Sequence, residues 1–290
     1  MKQALIKLHI SVFLAGFTGI LGRLILLNEG LLVWYRLFIT IVTMWVLLSF
    51  TKKLTRISKK DILKLTGVGF LSALHWVTFY GSIKYANVSV ALVCFSAVGF
   101  FTAFIEPVIV KRKLNWVEVL LGLLVMIGIY IIFHFDPHYK VGIILGIISA
   151  LLIAIAMILL RQFVQRINGE TVLTYQLTGG LFVLTLFMPL YLNLFPVKTV
   201  LPGLSDWGWL LILSWICSVW AFQLTTHALK KLSAFTVNLT FNLEPVYGIL
   251  MAFIFFNEAK DLSSGFYYGL ALIILSVILQ MWRVIKLKKH

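Results

Sequence analysis

Long apolar runs separated by short polar breaks fill this chain almost from end to end. A helix rises 1.5 Å per residue, so crossing about 30 Å of hydrocarbon takes roughly 20 consecutive apolar residues. Ten segments of that kind fit: 5–27, 31–50, 62–83, 88–110, 115–134, 141–161, 171–193, 207–228, 233–256 and 265–285. Together they use most of the chain and leave no soluble domain. The pattern predicts an all-α polytopic membrane protein with ten transmembrane helices.

Composition sharpens this. Of 290 residues, 61% are apolar and 12% charged, against roughly a quarter charged in an ordinary soluble domain. The net charge of +15 would suit nucleic acid if the basic residues were clustered on one face. Their positions argue against that partner. Nineteen of the 25 Lys and Arg fall in alternate connections and at both termini, from Lys2 and Lys7 through Lys111, Arg112 and Lys113 to Lys288 and Lys289. The opposite connections hold only Lys84, Lys140, Lys198 and Lys260, while Arg23 and Arg36 fall inside predicted spans. This positive-inside bias places both termini in the cytoplasm, which requires an even number of spans. The N-terminal apolar run continues to about Leu27 without an Ala-x-Ala site, so it reads as an uncleaved first helix. Cys94 and Cys217 stand deep in predicted spans without metal-ligand spacing and read as packing residues.

The break from His134 to Tyr139 divides the chain into two five-helix halves, 1–137 and 138–290. At a shift of 146 residues, spans three to five lie over spans eight to ten: Ile83-Lys84 falls on Leu229-Lys230, and Lys113-Leu114-Asn115 on Ala259-Lys260-Asp261. Five is odd, so the second half enters the bilayer with opposite orientation. Inverted repeats of this kind characterise secondary transporters.

The stretch Ala234 to Val246, containing Asn238, Asn242, Glu244 and Pro245, followed by Phe255-Phe256-Asn257-Glu258, resembles the signature of the EamA branch of the drug/metabolite transporter superfamily. That signature has a Pro mid-helix and a Glu thirteen residues later, here Pro245 and Glu258. Arg36 in Trp34-Tyr35-Arg36-Leu37-Phe38 also matches the family pattern. The first half departs from it, with Gly99 in place of the Pro and Arg112 in place of the Glu. The resemblance implies export or exchange of amino acids, related metabolites or other small solutes.

Polar groups inside the membrane are the candidate site, because an ionised side chain there costs about 3 kcal/mol on insertion scales. Glu244 sits near the middle of the ninth span beside Pro245, whose missing N–H frees the Phe241 carbonyl and kinks the helix. Together they are candidates for coupling or gating. Asn238 and Asn242 share one face, while Glu244 lies about 200° away from Asn242 at 100° per residue. The Asn face is slightly favoured for solute contact. Ser72, Trp76 and Tyr80 share a face of the third span with His75 adjacent, and rings with polar tips make good walls for an amphipathic solute. Ser96, Trp220 and Gln223 complete the candidate set. Arg23 and Arg36 are expected near the outer surface, where long side chains snorkel to water, with recruitment of a carboxylate-bearing solute as the lesser alternative. The assignment therefore puts no Lys or Arg at mid-depth, which speaks against phosphate-bearing solutes. Glu106 and Glu118 beside Lys111 to Lys113 suggest interfacial ion pairs, and Gly142-x-x-x-Gly146 a packing seam.

These features favour a multi-pass transporter of the cytoplasmic membrane that cycles by alternating access and exports amino acids or related metabolites. Other neutral or cationic metabolites or drugs are the alternative substrates. The expected partners are a small-molecule solute and the lipid bilayer, with a proton or an exchanged solute open as the coupling species and a homodimer open as the assembly. An intramembrane enzyme would need clustered catalytic groups such as His-Glu-x-x-His or Gly-x-Ser-x-Gly, and neither occurs. A channel would need charge rings or a carbonyl filter. No Walker-type phosphate loop, cofactor motif or metal set is expected.

Overall fold

The computed structural model describes residues 2–51, 54–135, 137–229, 231–232, 237 and 240–287. Every regular element among them is helical. In chain order they are α1 (Lys2–Leu24), α2 (Glu29–Thr51), α3 (Lys59–Tyr85), α4 (Val88–Phe95), α5 (Val98–Val110), α6 (Trp116–Phe135) and α7 (Lys140–Val164). There follow α8 (Gly169–Leu194), α9 (Leu204–Leu211), a π-helical stretch (Ile212–Trp220), α10 (Ala221–Leu229), α11 (Glu244–Phe256) and α12 (Ser264–Leu287). Among the described residues nine helical stretches are long and apolar enough to cross a membrane, and Glu244–Phe256 is a shorter apolar helix.

Local chemistry sets the helix boundaries. Ser58 caps α3 by accepting the Asp61 N–H at 3.1 Å, Asn87 caps α4 by accepting from Val90 at 2.8 Å, and Asn168 caps α8 by accepting from Glu170 at 2.9 Å. Each supplies an oxygen to a first-turn N–H that has no partner within the helix.

The internal repeat is visible in backbone detail. Residues 96–97 form a turn that separates α4 from α5, and residues 242–243 form a turn before α11. These pairs are related by the 146-residue shift. The helices that follow, Val98–Val110 and Glu244–Phe256, are each 13 residues long. Each ends in a residue of left-handed conformation, Lys111 at φ 57° and Asn257 at φ 54°. These two are the non-glycine residues with positive φ among those described. An αL residue terminates a helix by turning the chain so that its last carbonyls are satisfied. The two halves thus end corresponding helices the same way with different residues.

The helix pairings exchange under the same symmetry. In the first half α3 packs on α7 and α8, while in the second the π stretch with α10 packs on α1 and α2. Likewise α4 and α5 lie on α7 as α11 lies on α1. The predicted fifth and tenth spans, α6 and α12, pack against each other through Gly128 and Gly269. Lipid tails are as apolar as the side chains they replace, so these contacts draw on close packing and hydrogen bonds rather than on the hydrophobic effect. The tightest is α3 against α8: a Cβ on Gly69 would lie 1.9 Å from the Gln176 carbonyl oxygen, and one on Gly180 2.6 Å from that of Gly69.

Candidate solute site

The fold brings three helices from different parts of the chain to one buried cation. Helix α2 carries Arg36, α3 carries Trp76 and Tyr80 one turn apart, and the π stretch of the other half carries Ser214 and Ser218. Arg36 is 7% exposed, and its Nη1 donates to the Tyr80 hydroxyl at 2.8 Å. Its Nε and Nη2 both donate to Ser218 Oγ, at 3.3 and 3.2 Å. The guanidinium carbon lies 4.5 Å from the centroid of Trp76, a cation–π contact. Ser214 Oγ donates to the Arg36 carbonyl at 3.2 Å, which fixes α2 against the π stretch. Ser218 in turn donates to the Leu213 carbonyl five residues back, at 2.9 Å, as the wider π turn permits.

This corrects the expectation that Arg36 snorkels to the outer surface. The residue stands seven positions into α2, about 10 Å along the axis at 1.5 Å per residue, and its side chain turns into the interface between the halves. Hydrogen bonds to Tyr80 and Ser218 replace the water that snorkelling would have supplied.

Glu244 is half-buried and within electrostatic range of Arg36, on the other half. Its helical context differs from the kinked continuous helix expected of the sequence. Glu244 and Pro245 open α11 after the turn at 242–243, so Pro245 occupies the first turn, where a missing N–H breaks no bond. The chain is interrupted just before the proline. The corresponding interruption between α4 and α5 has Gly99 in the proline's place, so the break belongs to the repeat and not to that residue.

The remaining sequence candidates divide by position. Ser72 is buried; it donates to the Val68 carbonyl at 3.0 Å and accepts from Gln176 at 2.9 Å. His75 is buried against α7, with Nδ1 2.8 Å from Ser149 Oγ and 3.1 Å from the Ser149 carbonyl oxygen. Both side chains tie α3 to neighbouring helices. Ser96 is half-buried at the α4–α5 break, and Asn242 is exposed at the symmetry-related break. Trp220 and Gln223 are exposed on the π stretch and α10, and the side-chain hydrogen bonds of Arg36 go to Tyr80 and Ser218 instead. Asn238 lies outside the described residues. Trp76 and Tyr80 are therefore the sequence candidates in contact with Arg36, with Glu244 and His75 within its electrostatic range.

Two functional-looking groups escaped the sequence reading. Ser218 is one, although it is the 146-residue counterpart of Ser72 and could have been found on that ground. Glu258 is the other in its role. Buried to 1% exposure, it accepts from the backbone N–H groups of Val88 at 3.1 Å and Ser89 at 2.9 Å, and from Ser89 Oγ at 2.6 Å. It also pairs with Arg23, whose guanidinium lies 4.3 Å from the centre of the Phe256 ring. Lys84 donates to the carbonyls of Ile25 and Leu27 close by, and Asp206 accepts from the Leu26 N–H at 2.8 Å. This end of the bundle is closed by polar contacts between the halves.

At the opposite end a shallow groove of about 440 Å³ is lined by Lys2, Ile6, His9 and Phe13 of α1 and by Tyr247 of α11, among others. Tyr247, one turn beyond Glu244, bonds His9 Nδ1 at 3.0 Å. A second cavity of about 370 Å³ lies between α5 and α7 around Glu106, Arg112 and Arg161. Here the expected interfacial ion pairs are present: Arg112 bonds Glu106 at 2.6 Å and Glu118 at 3.0 Å, and Arg161 bonds Glu106 at 2.8 Å.

Comparison with known proteins gives two findings. The model of the EamA-like transporter family matches residues 3–134 and again residues 140–282. One solved crystal structure superposes on 99% of this chain and 99% of its own, with a TM-score of 0.63 at 15% sequence identity, a likeness of fold. No curated protein matches the sequence.

Proposed function

The chain belongs to the EamA-like transporter family, and from that premise we propose that this multi-pass membrane protein moves amino acids or related small metabolites across the cytoplasmic membrane by alternating access, in the direction of export. The observation that carries this reading is the buried Arg36 cluster, built by α2 and α3 of one repeat and the π stretch of the other. A site shared by two related halves changes its access when one half rocks against the other. The turns at 96–97 and 242–243 supply places where such a motion can bend the chain.

In this reading Trp76, Tyr80 and Ser218 form walls of the solute site, and Glu244 faces them from α11. Ser72 and His75 brace α3 behind it. The Glu258 contacts hold the outer end shut. Glu244, a carboxylate at the start of α11, is the candidate for coupling to a proton. Binding of the solute would have to compete with the contacts that hold one end closed for it to drive the exchange of states.

The test is flux in proteoliposomes loaded with a mixed amino-acid panel, with and without a pH gradient. Saturable flux of at least one member supports the solute class, and dependence on the gradient that Glu244→Gln removes supports coupling at that carboxylate. Saturable flux of organic cations with none of amino acids would transfer the reading to the alternative substrates.

A further inference from the structure

Arg36 is a buried cation without a carboxylate partner at ion-pair distance among the described residues. Its hydrogen-bond partners are two neutral hydroxyls, those of Tyr80 and Ser218. Removing a charge from water without an opposite charge costs several kcal/mol, and in a membrane the cost is not relieved by nearby solvent. The basic groups at the closed end have found strong acceptors: Arg23 has Glu258, and Lys84 has two carbonyls. Arg36 alone of the three keeps its charge uncompensated by a bonded anion or a helix end.

The geometry of its bonds says which ligand would compensate it. A guanidinium carries five N–H donors in a rigid plane. The Nε and Nη2 donors form the edge that takes both oxygens of a carboxylate in two parallel bonds. Here both converge on the single Ser218 oxygen, at 3.3 and 3.2 Å, longer than the 2.9–3.0 Å typical of such bonds. One hydroxyl thus occupies an edge shaped for two oxygens. Tyr80 receives Nη1 at 2.8 Å and has its own proton free of any acceptor among the described residues, available to an anion. The Trp76 ring, half-buried beneath the guanidinium, offers an apolar face beside this edge. Ser218 is half-buried while Arg36 is 7% exposed and Tyr80 fully buried, so a solute meets this edge of the guanidinium only where Ser218 gives way.

We infer that Arg36, with Tyr80 and Ser218, is an anion subsite that takes the carboxylate of the transported solute, whose apolar body lies on Trp76. The inference deepens the transport reading and rests on it for the word transported. Ser218 gives up the Nε–Nη2 edge to the carboxylate, Tyr80 donates to one of its oxygens, and Glu244 stands across the site for a cationic group on the same molecule. The subsite selects a solute with one carboxylate over its neutral amide, because the amide offers one acceptor oxygen and presents an N–H₂ to the donor edge.

The experiment compares isosteric pairs. Thermal unfolding of the purified chain in detergent is followed with benzoate and with benzamide, at equal ionic strength against chloride, and flux in proteoliposomes with L-leucine and with L-leucinamide. Wild type is expected to be stabilised by benzoate at concentrations at least about tenfold below those at which benzamide acts, a discrimination typical of sites built to bond one group. Arg36→Gln is expected to bring that ratio to about one, and Arg36→Lys, which keeps the charge and loses the fork, to retain part of it. If Arg36→Gln does not fold, the Lys variant carries the comparison. A merely structural Arg36 would leave the ratio unchanged and lower both responses alike, which overturns the inference, as does equal action of benzoate and benzamide on wild type. Benzoate selectivity lost in the Arg36 variants, with no flux of leucine, would keep the subsite and remove amino acids as its cargo. Leucine and leucinamide carried at equal rates would keep transport and remove the subsite.

Discussion

Glu258 of the second half accepts the backbone N–H of Ser89 at 2.9 Å and that of Val88 at 3.1 Å, so a carboxylate from one repeat closes the N-terminus of a helix in the other. Unsatisfied first-turn N–H groups and the positive end of the helix dipole make this the natural seat of an anion. The family's Glu therefore has a structural role in this chain that its distance in sequence from residue 89 conceals.

Removal of that carboxylate leaves the α4 terminus and the Arg23 guanidinium without their shared partner. Glu258→Ala is expected to destabilise the folded chain by about 3–5 kcal/mol, the usual effect of breaking a buried pair. The Arg23 side chain is 42% exposed, so Arg23→Gln leaves Glu258 with its α4 donors and costs about 1 kcal/mol or less. Thermal unfolding of both variants in detergent measures the order, and a larger loss for Arg23→Gln would overturn the assignment.

Gly69→Ala forces α3 and α8 apart, because the new methyl would meet the Gln176 carbonyl at 1.9 Å. A loss of about 1–3 kcal/mol is expected, as for overpacking of a tight core. Gly67→Ala, two residues earlier, meets nothing within 4 Å and is expected to be harmless or slightly stabilising, since Ala favours helix over Gly by about 1 kcal/mol. The yield of folded protein from each variant distinguishes the two sites, and equal behaviour would contradict the close approach.

His75 and Ser149 bond across α3 and α7. Ser149→Ala is expected to lose about 1 kcal/mol, one net hydrogen bond, and His75→Phe about 1–3 kcal/mol because it strands buried polar groups on α7. For a bracing role, flux falls with the amount of folded protein while KM is unchanged. A severalfold rise in KM at full folded yield would move His75 into the solute site.

The charge pattern makes a separate prediction about orientation. Cysteines introduced as Lys198→Cys and Lys60→Cys occupy exposed positions on sides of opposite basic content, and both native cysteines are buried. On intact cells a membrane-impermeant maleimide is expected to label the first and not the second, which becomes labelled after permeabilisation. The reverse pattern would place the termini outside.

Much of the architecture was legible because its signals are local. A bilayer sets the length of an apolar run, so helix positions follow from hydropathy, and nine of the ten expected spans are long apolar helical stretches among the described residues. Breaks within spans were harder to read. The interruption at 96–97 carries no proline, and the stretch from 233 to 243 reads as one apolar run although a turn occupies its end. Helix propensity is a weak guide at such points, because tertiary contacts routinely override it.

The site divides along the same line. Trp76 and Tyr80 share a helix face by their spacing alone, and Glu244 announces itself as a carboxylate in an apolar run. The sequence by itself therefore determined the membrane class, the repeat and the residue types that need an explanation. Only the tertiary structure decided that Arg36 turns inward, because its partner Ser218 lies 182 residues away in the other half. Likewise it made Glu258 the cap of α4 and set His75 on Ser149. Hydropathy reports how deep a residue lies along a helix axis. Which way a long side chain turns depends on the acceptors that neighbouring helices place beside it, and those are fixed only when the halves pack together.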